Sequence, residues 1–152
     1  MAFFVINEWL WADSSGDNGK DAQSEAFKVI RRLPTSDHQI VVTEGSAFDQ
    51  KAWALCKSRD MIVSELTRTY VVNVRLNSDR CMLLKPDAVL PLPEQLALAI
   101  NCDDHYLVRG QLSVPGSVLV TTDGALREVV TKARLPCLWR DEFLAEYFPG
   151  KA

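Results

Sequence analysis

The sequence predicts a single α/β domain, a three-layer α/β/α fold around a central, mainly parallel sheet of four to five strands. Three observations lead there. The chain has 152 residues, the usual size of one domain. Short β-prone runs alternate with amphipathic stretches at helical spacing, the pattern of a parallel sheet covered on both faces. The composition, 47% hydrophobic and 24% charged, is that of a globular chain able to bury a core without a disulfide or metal staple. No internal repeat, low-complexity tract or boundary interrupts the pattern, so residues 1–152 read as one domain.

Phe3 to Ile6 is a run suited to a strand buried on both faces. It ends in Asn7-Glu8, then Trp9-Leu10-Trp11, and residues 12–20 read as a loop by composition. Residues 21–33 form an amphipathic helix with Ala22, Ala26, Val29, Ile30 and Leu33 on one face, closed by Pro34. Gln39 to Thr43 is a second strand, and a helix from about Ser46 to Ser58 follows the break at Gly45. Residues 60–74 have helical spacing in their first half and an ambiguous Val-rich end. Arg80 to Lys85 reads as extended, Pro86, Pro91 and Pro93 mark a loop, and Glu94 to Ile100 is a short helix. Asp103 or Asp104 opens a helix reaching about Leu112. Val114-Pro115-Gly116 turns the chain into a core strand, Ser117 to Val120, which leads to Thr121-Thr122-Asp123. A helix carrying Leu126, Val129, Val130 and Ala133 follows, then a strand from Pro136 to Trp139 and a helix from Asp141 to Tyr147.

Charge restricts the partners. With 17 basic and 20 acidic residues the net charge is −3, so there is no global basic footprint and any nucleic-acid contact must be local. Cys56, Cys81, Cys102 and Cys137 form no C-x-x-C pair and sit in apolar neighbourhoods, which reads as reduced, buried packing residues. The opening Met1-Ala2-Phe3-Phe4-Val5-Ile6 lacks a basic leader, and no stretch approaches the roughly 20 apolar residues of a membrane helix. A cytoplasmic protein without a membrane partner is the expectation.

Four acidic segments have a common destination. Val118 to Val120 delivers Asp123 just where a helix begins, at the edge of a parallel sheet where ligands bind; Asp123 reads equally as that helix's cap. Asp103-Asp104 opens another helix, and adjacent carboxylates beside a third acid repel unless a cation is near. Asn7-Glu8 leaves the first strand. Asp49 lies in the first turn of the helix after the second strand, with Glu44 in the preceding turn; both also read as ordinary surface acids. Carboxylates gathered at one edge suit Mg²⁺ or Mn²⁺, which prefer oxygen ligands and retain waters. Such an ion lowers the pKa of bound water and stabilises charge on a phosphate under in-line attack. It also bridges an acidic pocket to a polyanion, reconciling the net charge with a nucleic-acid substrate.

On these residues the chain resembles the PIN-domain family of nucleases. The likeness is best over residues 103–148: Asp103-Asp104-His-Tyr-Leu-Val, then Ser117-Val-Leu-Val-Thr-Thr-Asp123-Gly-Ala-Leu126, then Leu138-Trp-Arg-Asp-Glu-Phe-Leu144. Phe3-Phe-Val-Ile-Asn7-Glu8 stands where the family has a strand ending in Asp. The resemblance implies a divalent-metal ribonuclease acting on single-stranded RNA, with toxins of toxin–antitoxin pairs among its relatives. It also implies a cognate antitoxin or other protein as partner, and a tendency to dimerise. It implies metal binding by Asp123, by Asp103 or Asp104, by Asp49, and by Asn7 or Glu8, with Glu8 joining Asp103, Asp104 and Asp123 as the catalytic acids. Thr121 or Thr122 would orient an acid, a water or the substrate, and Arg109 and Arg127 would touch phosphates. Asn7 departs from the family pattern by bringing no charge, which makes a non-catalytic PIN-like binding module the alternative.

The remaining features carry less. His105 reads as structural, because no Ser or Cys is placed beside it, and Trp9, Trp11, Trp53 and Trp139, which could stack on bases, read rather as core or interface anchors. Neither a phosphate-cradling P-loop nor a dinucleotide fingerprint occurs. A receiver-type fold would need an early acidic pair and a mid-chain phosphoacceptor Asp, and neither is visible.

Overall fold

The computed structural model describes residues 1–151. Five strands, β1 (Phe3–Ile6), β2 (Gln39–Thr43), β3 (Cys81–Leu84), β4 (Val118–Thr121) and β5 (Cys137–Trp139), form one sheet in the order β3-β2-β1-β4-β5. Every pairing is parallel. Eight α-helices among the described residues flank it: α1 (Trp9–Ser14), α2 (Lys20–Arg32), α3 (Ala47–Leu55), α4 (Met61–Tyr70), α5 (Glu94–Ala99), α6 (His105–Ser113), α7 (Gly124–Lys132) and α8 (Arg140–Tyr147). The three-layer fold predicted from sequence is therefore observed.

The two faces of the sheet follow from side-chain alternation along each strand. Phe4, Ile6, Ile40, Val42 and Val120 pack with Leu10 and Trp11, with Val29 and Ile30 of α2, and with Phe143 of α8. Val5, Val41 and Leu119 face the other way, against Leu107 and Val108 of α6 and Leu126 and Val130 of α7. The first layer buries aromatic and aliphatic residues and the second aliphatic ones, almost completely, at roughly 1.5–3 kcal/mol per large apolar side chain.

The stretch expected to be a loop at 12–20 begins as helix, since α1 runs through Ser14. The local composition was overridden by burial. Trp9 and Trp11 are in the core, and their indole N–H groups donate to the carbonyls of Val120 and Phe48 at 3.1 and 3.0 Å. Asp13 is buried between Asn18 and Arg140. The Val-rich end of the 60–74 segment continues α4 as a π-helical turn, Val71–Arg75. Pro34 falls inside a 3₁₀ turn, Leu33–Thr35, that follows directly on α2. All four cysteines are free. Cys81 is buried and Cys56 and Cys137 partly so, but Cys102 is exposed, contrary to the expectation of a packed thiol.

Strand order reverses between β1 and β4, which lie side by side although far apart in sequence. The carboxyl ends of these strands are the topological switch point, where open parallel sheets bind ligands. Asn7-Glu8 leaves one of them and Thr122-Asp123 the other. No helix among the described residues is long and apolar enough to cross a membrane.

Candidate functional site

Asp123 is the residue on which the site is built. Its Oδ1 accepts the N–H groups of Ala125 and Leu126 at 3.0 and 3.1 Å, capping α7. Its Oδ2 accepts no hydrogen bond from the described residues. The cap and the ligand readings are thus compatible, because each uses a different oxygen. Thr121 fixes the acid's backbone: its Oγ1 accepts the Asp123 N–H at 3.0 Å and the Asn7 amide Nδ2–H at 3.1 Å. Thr121, expected to orient an acid or water or to touch substrate, is fully buried. Thr122 beside it is exposed.

Asp104 and Asp123 line one small pocket together with Ile100, Asn101, Ala125 and Leu126. Asp103 is exposed, its backbone N–H held by Asn101 Oδ1 at 3.0 Å, and does not line that pocket. Of the adjacent pair, Asp104 is the one that shares a pocket with Asp123. A 3₁₀ turn, Cys102–Asp104, precedes α6 and turns the two side chains differently. Burial, and after it the carboxylates of Asp123, Glu8 and Asp103, raise the Asp104 pKa above its ordinary 3.8. Glu8 is therefore within electrostatic reach of Asp104.

Glu8 has two partners of its own. Lys51 Nζ lies 2.6 Å from Oε1, and the Tyr106 hydroxyl donates to Oε2 over 3.5 Å. Burial chiefly, with the Glu8 and Asp104 carboxylates next, pushes the Tyr106 phenol well above its usual range and keeps it a donor. Asn7 is engaged on both sides, its Oδ1 accepting the Glu8 N–H at 2.7 Å while its amide donates to Thr121. Lys51 and Tyr106 were not legible from sequence. Lys51 is an exposed residue on α3 with nothing in its spacing to mark it, and Tyr106 stands one residue into α6.

Asp49, expected as a metal ligand, is placed against a buried arginine. Arg75 grips it through Nε and Nη2 at 2.7 and 3.0 Å, and the Gly45 N–H donates to Oδ2 at 2.9 Å. Gly45 has φ +75°, a left-handed conformation that glycine adopts freely and that aims its N–H back at this carboxylate. Glu44 pairs with Lys85 at 2.6 Å on the surface. Arg109, expected to touch phosphate, donates through Nε and Nη2 to the carbonyls of Leu90 and Val89, bracing the Pro-rich loop. Arg127 lies over the Trp139 ring and reaches Glu142 at 3.3 Å. His105 Nε2 sits 3.0 and 2.9 Å from the carbonyls of Ala97 and Ile100, a structural role tying α5 to α6.

Among the described residues no group of three His, Cys, Asp or Glu side chains is placed to enclose an ion. Mg²⁺ does not need one. It is commonly held by one or two carboxylates and completes its shell with water and substrate phosphate. Asp104 with the uncommitted Oδ2 of Asp123 fits that donor set, and their mutual repulsion is what a cation relieves.

The same repulsion has a measurable cost. A raised carboxyl pKa means the folded chain holds its proton more tightly than the unfolded one, so stability falls as pH rises from 3.8 through the raised value. Asp104→Asn is therefore expected to melt above wild type at neutral pH without metal, by the roughly 0.5–2 kcal/mol of a relieved charge clash. The difference should shrink as pH drops below the ordinary carboxyl range. Thermal melts across pH check it, and a variant no more stable than wild type at neutral pH contradicts it.

Comparison with known proteins returned nothing: no family model, no curated protein and no solved structure matches this chain.

Proposed function

We propose that this chain is a PIN-like, divalent-metal-dependent ribonuclease that hydrolyses phosphodiester bonds of single-stranded RNA at the β1–β4 edge. The observation that carries the reading is the shared pocket of Asp104 and Asp123, two acids from separate elements, with Glu8 close enough to add to their repulsion. Their position at the switch point of a parallel sheet supports it. So does the resemblance of the 103–148 segment to the family.

In this reading Asp104 and Asp123 Oδ2 hold Mg²⁺ or Mn²⁺. When bound, the ion offsets charge on the phosphate and makes water a stronger nucleophile. Glu8, braced by Lys51 and Tyr106, accepts a hydrogen bond from the attacking water. Thr121 and the α7 cap keep Asp123 from swinging away. Hydrolysis adds the water oxygen to phosphorus and breaks one P–O ester bond, with the water proton leaving to solvent and another completing the released hydroxyl.

A second reading, a binding module without catalysis, is favoured by two specific contacts. Lys51 already neutralises Glu8, and Asn7 brings an amide where a carboxylate would add charge. Incubating a panel of single-stranded RNAs with Mn²⁺, Mg²⁺ or chelator separates the two. The nuclease reading expects cleavage by wild type that chelator and Asp123→Asn both suppress. Cleavage equal in wild type and Asp123→Asn, or absent from both with every metal, removes it; metal or RNA binding without cleavage favours the module.

A further inference from the structure

Two of the acids expected to hold metal already carry a protein cation. Asp49 is gripped by Arg75, and both side chains are buried. Glu8 Oε1 lies 2.6 Å from Lys51 Nζ, with Glu8 24% and Lys51 57% exposed. Asn7 brings no charge, and its amide is committed at both ends, to the Glu8 N–H and to Thr121. Asp104 and Asp123 form no ion pair among the described residues.

Glu8 belongs to the same edge as that pair. The Asn7 amide donates to the Thr121 hydroxyl, which also accepts the Asp123 N–H, so one side chain ties the exit of β1 to the exit of β4. Tyr106, two residues after Asp104, donates from its hydroxyl to Glu8 Oε2 over 3.5 Å. Lys51 reaches the other oxygen of Glu8 from α3.

Glu8, Asp104 and Asp123 bring three negative charges to this edge. One divalent ion and one ammonium balance them, whereas two divalent ions beside Lys51 would leave an excess of positive charge. Two ions roughly 3.5–4 Å apart also need carboxylates on both, and only Asp104 and Asp123 are unpaired here. An ammonium has three N–H donors, of which Glu8 takes one, so Lys51 keeps donors for a phosphate oxygen.

We propose that the Lys51 ammonium takes the role of a second metal ion, so that this edge loads a single divalent ion, on Asp104 and Asp123. The proposal rests on the metal reading above and adds to it the number of ions and the residue that sets that number.

The number of bound ions tests it. Mn²⁺ is titrated into wild type, Lys51→Met, Lys51→Arg and Glu8→Gln, and the ions bound per chain at saturation are read from the free-ion paramagnetic signal. Wild type is expected to bind one. Lys51→Met releases the Glu8 carboxylate and should bind two, while Lys51→Arg keeps the charge and should bind one. Glu8→Gln should also bind one, because Glu8 is not a ligand of that ion. Should Lys51→Met fail to fold, Lys51→Gln takes its place. Two ions on wild type, one on Lys51→Met, or none on Glu8→Gln overturns the proposal. A single ion on wild type and Lys51→Met alike removes the role of Lys51 and leaves the metal reading standing, whereas no ion on wild type removes both.

Discussion

Asp49→Ala is expected to lose about 3–5 kcal/mol of folding stability, the typical result of breaking one half of a buried ion pair. The side chains of Arg75 and Asp49 are 7% and 3% exposed, and the pair is bidentate. Hydrogen bonding to Asp49 is also the main reason the Arg75 guanidinium is held even more firmly charged than usual. Without the carboxylate a guanidinium stays buried and unpaired, and the Gly45 N–H loses its acceptor. Domains of this size have only about 5–15 kcal/mol in total, so the loss is severe. Urea unfolding measures it directly. Because Asp49 serves Arg75, the folded variant should bind Mn²⁺ as wild type does. A variant that unfolds at the wild-type midpoint yet loses the ion would return Asp49 to the metal site.

Asp123→Asn is expected to do the reverse, removing activity and sparing the fold. The amide oxygen of Asn can take over the two N–H bonds that cap α7, and Asn and Asp are near-equal caps. What disappears is the charge on the uncommitted oxygen. A ligand that helps offset transition-state charge is worth several kcal/mol, on the order of 10²- to 10³-fold in rate. Asp104→Asn should lose a comparable factor while gaining stability, and Asp103→Asn should stay within a few-fold of wild type because that side chain is exposed and outside the pocket. Rates of metal-dependent RNA cleavage and melting curves on the same preparations check both halves. An Asp103→Asn defect as deep as that of Asp104→Asn would show the wrong carboxylate assigned.

The elements that sequence made legible are those whose signals are local. Leu119 and Val120 between Ser117 and Asp123 announce a buried strand, and Ser46 and Asp123 both cap the helices expected after them. Parallel pairing follows from alternation with helices, and Asp104 and Asp123 line one small pocket. What escaped depends on partners distant in the chain. Trp11 and Asp13 hold α1 in place through Phe48 and Arg140, contacts no window of neighbouring residues contains. Asp49 has the helix position a ligand would have, and only the fold reveals Arg75 beside it. Arg109 and Thr121 have the right residue types near the edge, but burial and carbonyl partners give them structural duties. Lys51 marks the opposite failure, a surface lysine by spacing that the tertiary fold sets against Glu8.

Titration of wild type with Mn²⁺, followed by the loss of the free-ion paramagnetic signal, tests most directly whether carboxylates remote in sequence act as one cation site. Saturable binding is expected in the wild-type chain, and its loss in the folded double variant Asp104→Ala/Asp123→Ala. Wild type that leaves the free-ion signal unchanged, or a double variant that binds as tightly as wild type, would contradict the account.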